Sequence, residues 1–156
     1  MRFLDRTAMV VATVGYAGRS ALAPGTVASL IALPLCWALS RLCQPAAVIT
    51  AGALILAAVA AAHRAEQLLG AKDPGCIVID EVAGMAVALL GLPFNLVTGA
   101  VGFAVFRFFD IVKPFPIRQL EKRVQGGAGI VLDDVVAGAM TNVVLRAAAG
   151  WGLFGV

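Results

Sequence analysis

The chain has 156 residues, enough for one domain, with 61% hydrophobic residues, 13% charged residues and a formal net charge of +3. Soluble domains run at roughly 45–50% apolar and about 25% charged, so this composition speaks against an ordinary soluble domain. No nucleic-acid partner is expected, and the three cysteines, Cys36, Cys43 and Cys76, are an odd count without metal-type spacing.

The N-terminal apolar stretch, Thr7 to Gly18, is short and has no small-residue cleavage pattern, so it does not read as a signal peptide. Leu22-Ala23-Pro24-Gly25-Thr26 reads as a turn. Thr26 is expected to cap a first long helix running to about Leu42, with a kink at Pro34, since proline removes one ladder bond. Gln44-Pro45 is a tight turn. A second helix runs from Ala46 to Ala62, extended by the polar segment His63 to Leu69. Lys72-Asp73-Pro74-Gly75 is a loop. Val82 to Phe106 is interrupted by Gly91-Leu92-Pro93-Phe94-Asn95, and helices commonly end before an X-Pro pair, while Asn95 can cap the next helix. This stretch therefore reads as a helical hairpin with arms of about 12 residues, or about 18 Å each. Such arms are short of a full crossing, so they extend into the charged segments or are partly re-entrant. Asp134 to about Ala149 forms the last helix.

Three of these stretches carry no charge: Ser20 to Ser40 and Leu42 to Ala62, 21 residues each, and Val82 to Phe106, 25 residues. A bilayer-spanning helix needs about 20 apolar residues. The expected fold is therefore an all-α integral membrane bundle, forming a single domain over residues 1–156. With both hairpins in place, every charge cluster falls on one face. That face collects Arg2, Arg6, Arg19, Arg64, Lys72, Arg107, Lys113, Arg118, Lys122 and Arg123, ten of the twelve basic residues, leaving Arg41 and Arg146. The positive-inside rule makes it the cytoplasmic face.

Three constellations could carry chemistry. Asp80 and Glu81 stand where a polar loop enters an apolar helix. They are either acidic residues favoured by a helix N-terminus or ligands for a hard cation such as magnesium, which takes carboxylate oxygen and keeps several waters. Arg107, Asp110 and Lys113 recur at three-residue steps and share one helical face. They form either an intrahelical ion-pair ladder or a working set, and charges held among Phe103, Phe106, Phe108 and Phe109 near a membrane boundary tend to pair or to work. Gly126-Gly127-Ala128-Gly129 precedes Asp133 and Asp134. Such glycines form either a flexible turn or a backbone that approaches an anion. Of the two aspartates, one can cap the helix while the other faces inward, and Asp134 is the preferred inward group.

Several phosphatase chemistries are ruled out by missing residues. There is no Cys-x5-Arg, because Val82 stands at the needed place after Cys76. There is no Asp-x-Asp pair, and His63 is the only histidine. Metal-assisted chemistry remains, with a cation polarising phosphoryl oxygens and cationic side chains neutralising the transferring group.

At these residues the chain resembles the phosphatidylglycerophosphatase A family. The match is carried by Leu22-Ala23-Pro24-Gly25-Thr26-Val27-Ala28-Ser29-Leu30 and by Ile77-Val78-Ile79-Asp80-Glu81-Val82-Ala83-Gly84-Met85. Phe106-Arg107-Phe108-Phe109-Asp110-Ile111-Val112-Lys113-Pro114-Phe115-Pro116-Ile117-Arg118 comes next, and then the run from Gly126 to Gly138. Ala28 stands where the family usually has Gly, and Val112 and Phe115 replace its usual tryptophans. These exchanges touch packing and leave the charged set intact.

The resemblance implies a magnesium-dependent bacterial inner-membrane enzyme of phospholipid biosynthesis. It would remove the terminal phosphate of phosphatidylglycerophosphate. On that expectation Asp80, Glu81, Asp110 and Asp134 are the candidate Mg2+ ligands, with Asp133 close by, and Glu81 is the first candidate for a general base instead. Arg107, Lys113 and Arg118 would bind phosphate, and Thr26 with the Pro24-Gly25 turn would complete the pocket. The phospholipid and the bilayer are the expected partners. Two rivals stand beside this: a phosphatase of another lipid or polyprenyl phosphate, and a non-enzymatic binder of anionic lipid. Against the binder, carboxylates placed beside the cations gain nothing for holding an anion. A phosphatidyltransferase is disfavoured because no Asp-Gly-x2-Ala-Arg pattern is present.

Overall fold

The computed structural model describes residues 3–150, without the side chains of residues 121 and 122. Arg2 and the Lys122 side chain, both counted on the basic face, lie outside the described residues. The described residues form helices joined by short turns and loops, with no strand. The helices are α1 (Phe3–Ala12), α2 (Pro24–Ser40), α3 (Gln44–Leu69), α4 (Ile79–Ala88), α5 (Leu96–Val112), α6 (Ile117–Arg123) and α7 (Gly126–Gly150).

Two of these, α3 and α7, are long and apolar enough to cross a membrane. At 1.5 Å per residue they extend about 39 Å and about 37 Å. Their outward surfaces stay apolar: Ile49 and Leu56 of α3 are 71% and 73% exposed, and Val143 of α7 is 68% exposed. Helices apolar on their outer as well as their inner face suit a lipid surround.

The hairpin is present but lopsided. α4 has ten residues and α5 seventeen, or about 15 Å and about 26 Å. Asn95 caps α5 as expected, accepting from the Thr98 N–H at 2.8 Å. α4 is the centre of the bundle, with Val82, Ala83, Met85, Ala86 and Ala88 all buried. It lies against α2 on one side and α7 on the other. α1 packs on α3, tied by an Arg64–Asp5 ion pair of 2.6 Å.

Two expectations need correction. Thr26 does not cap the first long helix. That helix starts at Pro24, whose fixed φ suits a first helical position, and its N-cap is Ala23 at φ 42°. The glycine-rich segment is not a loop but the first turn of α7, which begins eight residues before Asp134. Close packing explains this. A Cβ on Gly127 would lie 2.3 Å from the Val59 carbonyl and 2.4 Å from the His63 nitrogen, so only glycine lets α7 meet α3 this closely.

Candidate active site

The α4–α7 crossing sets the site. A Cβ on Gly138 would come within 2.2 Å of the Gly84 carbonyl oxygen, and one on Gly84 within 2.7 Å of the Asp134 carbonyl oxygen. Asp80 stands four residues before Gly84, and Asp134 four before Gly138. Residues four apart share a helix face, so the glycine contact carries both aspartates to the same crossing. Asp134 is buried, and its Oδ2 has no hydrogen-bond partner; Asp80 Oδ1 is likewise buried and without one.

The C-terminal end of α5 and the first turn of α2 bring in the rest. Arg107 donates to Asp110 Oδ2 at 2.6 Å and lies 3.2 Å from Glu81 Oε2. Ser29 Oγ is 2.8 Å from the Gly25 carbonyl and 3.3 Å from Glu81 Oε2. A Cβ on Gly25 would meet Glu81 Oε1 at 2.0 Å, so the α2 backbone is pressed against that carboxylate. α5 stops at Lys113, which takes φ 46°. That left-handed residue turns the chain out of the helix, and Lys113 Nζ reaches Asp133 Oδ2 at 2.7 Å. Asp133 Oδ1 in turn accepts from the Asp134 N–H at 3.1 Å. Beside Asp133 opens a pocket of about 100 Å³, lined among others by Glu66, Lys72, Asp73 and Gln125.

Five carboxylates thus face two cations. The imbalance shows in the first turn of α4, a helix too short to be a span. Burial pushes the Glu81 carboxyl up to about 7, with Arg107 pulling against it. Burial, then the charge of Glu81, then that of Asp133, hold Asp80 well above the usual carboxylate range. Arg107 adds a mark of the opposite sign, since its Nε is buried and has no acceptor. Unpartnered buried polar groups cost free energy. Two carboxyl oxygens without a donor or cation and a guanidinium N–H without an acceptor therefore lie within one site.

The family model for phosphatidylglycerophosphatase A matches residues 10–149. The chain belongs to the phosphatidylglycerophosphatase A family. It is 37% identical over 134 residues to "Phosphatidylglycerophosphatase A" of Escherichia coli strain K12, covering 85% of this chain and 78% of that one. A Haemophilus influenzae protein of the same name is 41% identical over 86 residues, 53% of this chain and 52% of that one. A Bacteroides thetaiotaomicron protein named "Putative phosphatidylinositol-3-phosphatase" is 37% identical over 153 residues, 92% of this chain and 93% of that one. No solved structure matches.

Of the residues singled out for this family's chemistry, the structure links Glu81 and Asp110 through Arg107, and Lys113, Asp133 and Asp134 in a second set, with Asp80 beside Glu81 at the α4–α7 crossing. Among the described residues, no three Asp, Glu, His or Cys side chains form a ready metal cage. Glu81 and Asp110 are turned to Arg107, and Asp133 to Lys113, which leaves Asp80 and Asp134 with open oxygens. Thr26 is half-buried in the first turn of α2, and Arg118 is exposed on α6. Neither is joined to the carboxylates by a hydrogen bond or ion pair among the described residues. His63 bonds Gln67 at 3.0 Å and packs under Gly126 and Gly127.

The Pro24-Gly25 turn was expected at the pocket, though not the contact of Gly25 with Glu81, and Ser29 is a site residue that sequence reasoning did not foresee. Asn142 and Arg146 were missed as well. Asn142 Nδ2 donates to the carbonyls of Val87, Ala88 and Leu90 at 3.1, 3.0 and 2.9 Å. Arg146 donates to Asn142 Oδ1 at 2.7 Å and to the Leu90 carbonyl at 3.0 Å. Asn142 thus covers the last carbonyls of α4, Val87 and Ala88, and Arg146 joins it on the Leu90 carbonyl just beyond the helix, which fixes the depth of the helix that carries Asp80 and Glu81.

Proposed function

We propose that this protein hydrolyses the terminal phosphomonoester of phosphatidylglycerophosphate to phosphatidylglycerol and phosphate, with Mg2+ held by Asp80 and Asp134. The observation that carries this is the set of three unpartnered buried atoms, Asp80 Oδ1, Asp134 Oδ2 and Arg107 Nε. The donor set fits magnesium, which usually takes one or two carboxylates and completes its shell with waters and substrate phosphate. A bound Mg2+ would supply charge neutralisation for the phosphoryl group and a lowered pKa for a bound water. It would also offset the excess of carboxylates, without which a doubly charged phosphate would be repelled.

The chain's own residues do the remainder. Arg107 presents Nε to a phosphate oxygen while Asp110 and Glu81 hold its guanidinium in place. Lys113, paired with Asp133, adds positive charge at the mouth. Glu81, fixed by Ser29 and raised to about 7, is suited to take a proton from the attacking water near neutral pH. Arg118, exposed on α6 near the surface, is a contact for the incoming head group.

On this reading the protein lies in the bacterial inner membrane as a multi-pass bundle with this site at the cytoplasmic face. Support comes from the two long apolar helices, the lipid-suited outer surfaces and the ten of twelve basic residues that the hairpin topology read from the sequence assigns to one face. The Bacteroides relative supports a second reading, in which the same site removes the phosphate of a phosphoinositide.

The test is phosphate release in mixed micelles from phosphatidylglycerophosphate, phosphatidylinositol 3-phosphate, phosphatidic acid and a soluble phosphomonoester, with magnesium and then with chelator. Rapid magnesium-dependent release selective for phosphatidylglycerophosphate is expected. Selectivity for the phosphoinositide would move the substrate, and release unaffected by chelator would remove the metal.

A further inference from the structure

An apolar groove lies between α2 and α5 that the phosphate chemistry does not use. It measures about 210 Å³ and is lined by Leu30, Leu33, Phe94, Gly99, Ala100 and Phe103, among others, all without polar side chains. Its shape arises from the sequence. Gly99 and Ala100 strip side-chain bulk from α5. The Phe94 ring lies only 3.1 Å from where a Gly99 Cβ would be, and so walls the groove on that side.

Both helices that make the groove run into the charged site. Leu30 follows Ser29 directly, and Phe103 lies one turn before Arg107. At 1.5 Å per residue the groove begins about 6 Å from Arg107 along α5 and reaches about 12 Å at Gly99. The groove and the charged site therefore lie about one helical turn apart along the same two helices, charged at one end and apolar over the next two turns.

We propose that this groove holds an acyl chain of the lipid whose phosphate is hydrolysed, so that substrate is selected by its tail as well as by its phosphate. The inference rests on the phosphatase function proposed above and adds the part of the substrate that function leaves unread. The order of polarity along the two helices matches that of an amphiphile: phosphate at Arg107, hydrocarbon along Phe103, Ala100 and Leu33. A bulk lipid could lay a chain anywhere on the outer surface. A chain whose own head group is engaged at Arg107 is delivered to this groove by the shared helices, which commits the site to substrate. A soluble phosphomonoester would gain nothing from it.

Ala100→Trp tests this, because Ala100 is exposed and a large ring can fill the groove without disturbing the core. Leu33→Trp fills it from the opposite wall. Val101→Trp, on the same helix but not lining the groove, is the control. For long-chain phosphatidylglycerophosphate, both groove variants are expected to lose roughly tenfold or more in kcat/KM, carried by KM, because several methylenes lose their apolar wall. Turnover of a dihexanoyl analogue is expected to stay at the wild-type level in all three. A long-chain probe, phosphatidic acid with a diazirine in its tail, is expected to crosslink to the 96–103 segment of wild type and not of Ala100→Trp.

Long-chain kcat/KM within twofold of wild type in both groove variants would overturn the proposal, as would an equal loss on the short-chain analogue. If wild type hydrolyses no lipid phosphate, the crosslink decides alone. Labelling within 96–103 would keep the groove and remove the phosphatase function, and labelling elsewhere would remove the groove.

Discussion

Replacing Gly138 by alanine adds one methyl group at the crossing that aligns Asp80 with Asp134. That methyl would stand 2.2 Å from the Gly84 carbonyl oxygen and 3.2 Å from the Ala88 nitrogen. Both neighbours are backbone, so no side chain can swing aside. α4 and α7 must open by about 1 Å to restore an ordinary van der Waals contact. Overpacking of this kind costs about 1–3 kcal/mol, and the better helix propensity of alanine returns about 1 kcal/mol, so the variant is expected to stay folded. Its activity should suffer far more, since a displacement of about 1 Å between reacting groups costs on the order of a hundredfold in rate. The assay is phosphate release from phosphatidylglycerophosphate in micelles, beside thermal unfolding in the same detergent. Gly52→Ala is the matched control, because a Cβ there meets nothing within 4 Å. It should leave activity unchanged and gain up to about 1 kcal/mol in stability. Wild-type turnover in Gly138→Ala would refute the view that this glycine contact positions the two aspartates.

Two further substitutions separate chemistry from scaffold. Arg107→Lys keeps the charge, but its single compact nitrogen lacks the planar fork that meets Glu81 and Asp110 through Nη1 while leaving Nε for a phosphate oxygen, so kcat/KM should fall on the order of a hundredfold with little change in unfolding temperature; an unaltered kcat/KM would remove Arg107 from phosphate binding. Asn142→Ala strips the donor shared by three α4 and post-α4 carbonyls and should cost about 1–3 kcal/mol in stability. Its magnesium requirement should persist at low temperature, and a lost requirement with unchanged stability would contradict a purely supporting role.

The helices that carry the site were legible because charge is so scarce. Long charge-free runs marked α2, α3 and the hairpin, and Asn95 announced the start of α5 correctly. The lopsided hairpin was not legible, since α4 ends not at a proline but where Asn142 takes up its last carbonyls, a contact made more than 50 residues away in sequence. The start of α7 was misplaced for a related reason. Three glycines in four residues look like a loop locally, and only the approach of α3 shows that they are helical and small by necessity. That same misplacement put Asp133 and Asp134 at a helix start, whereas they lie two turns in. One signal was available and went unread: Asp80 and Gly84, like Asp134 and Gly138, are each four residues apart, the spacing of a carboxylate set one turn from a close helix crossing. Which carboxylates are already paired could not be read from spacing. Glu81, Asp110 and Asp133 look equivalent to Asp80 and Asp134 until Arg107 and Lys113 are seen to claim them.

The most direct test of the Asp80–Asp134 centre is the binding of Mn2+, as a paramagnetic stand-in for Mg2+, to the purified full chain, measured by electron paramagnetic resonance. Wild type is expected to bind the ion and release it to excess Mg2+. Asp80→Asn and Asp134→Asn should each lose both binding and phosphatase activity while unfolding at or above the wild-type temperature, because each replaces a buried carboxyl crowded by neighbouring carboxylates with a neutral amide of the same shape. Wild-type Mn2+ affinity in both variants would contradict the account and place the metal elsewhere.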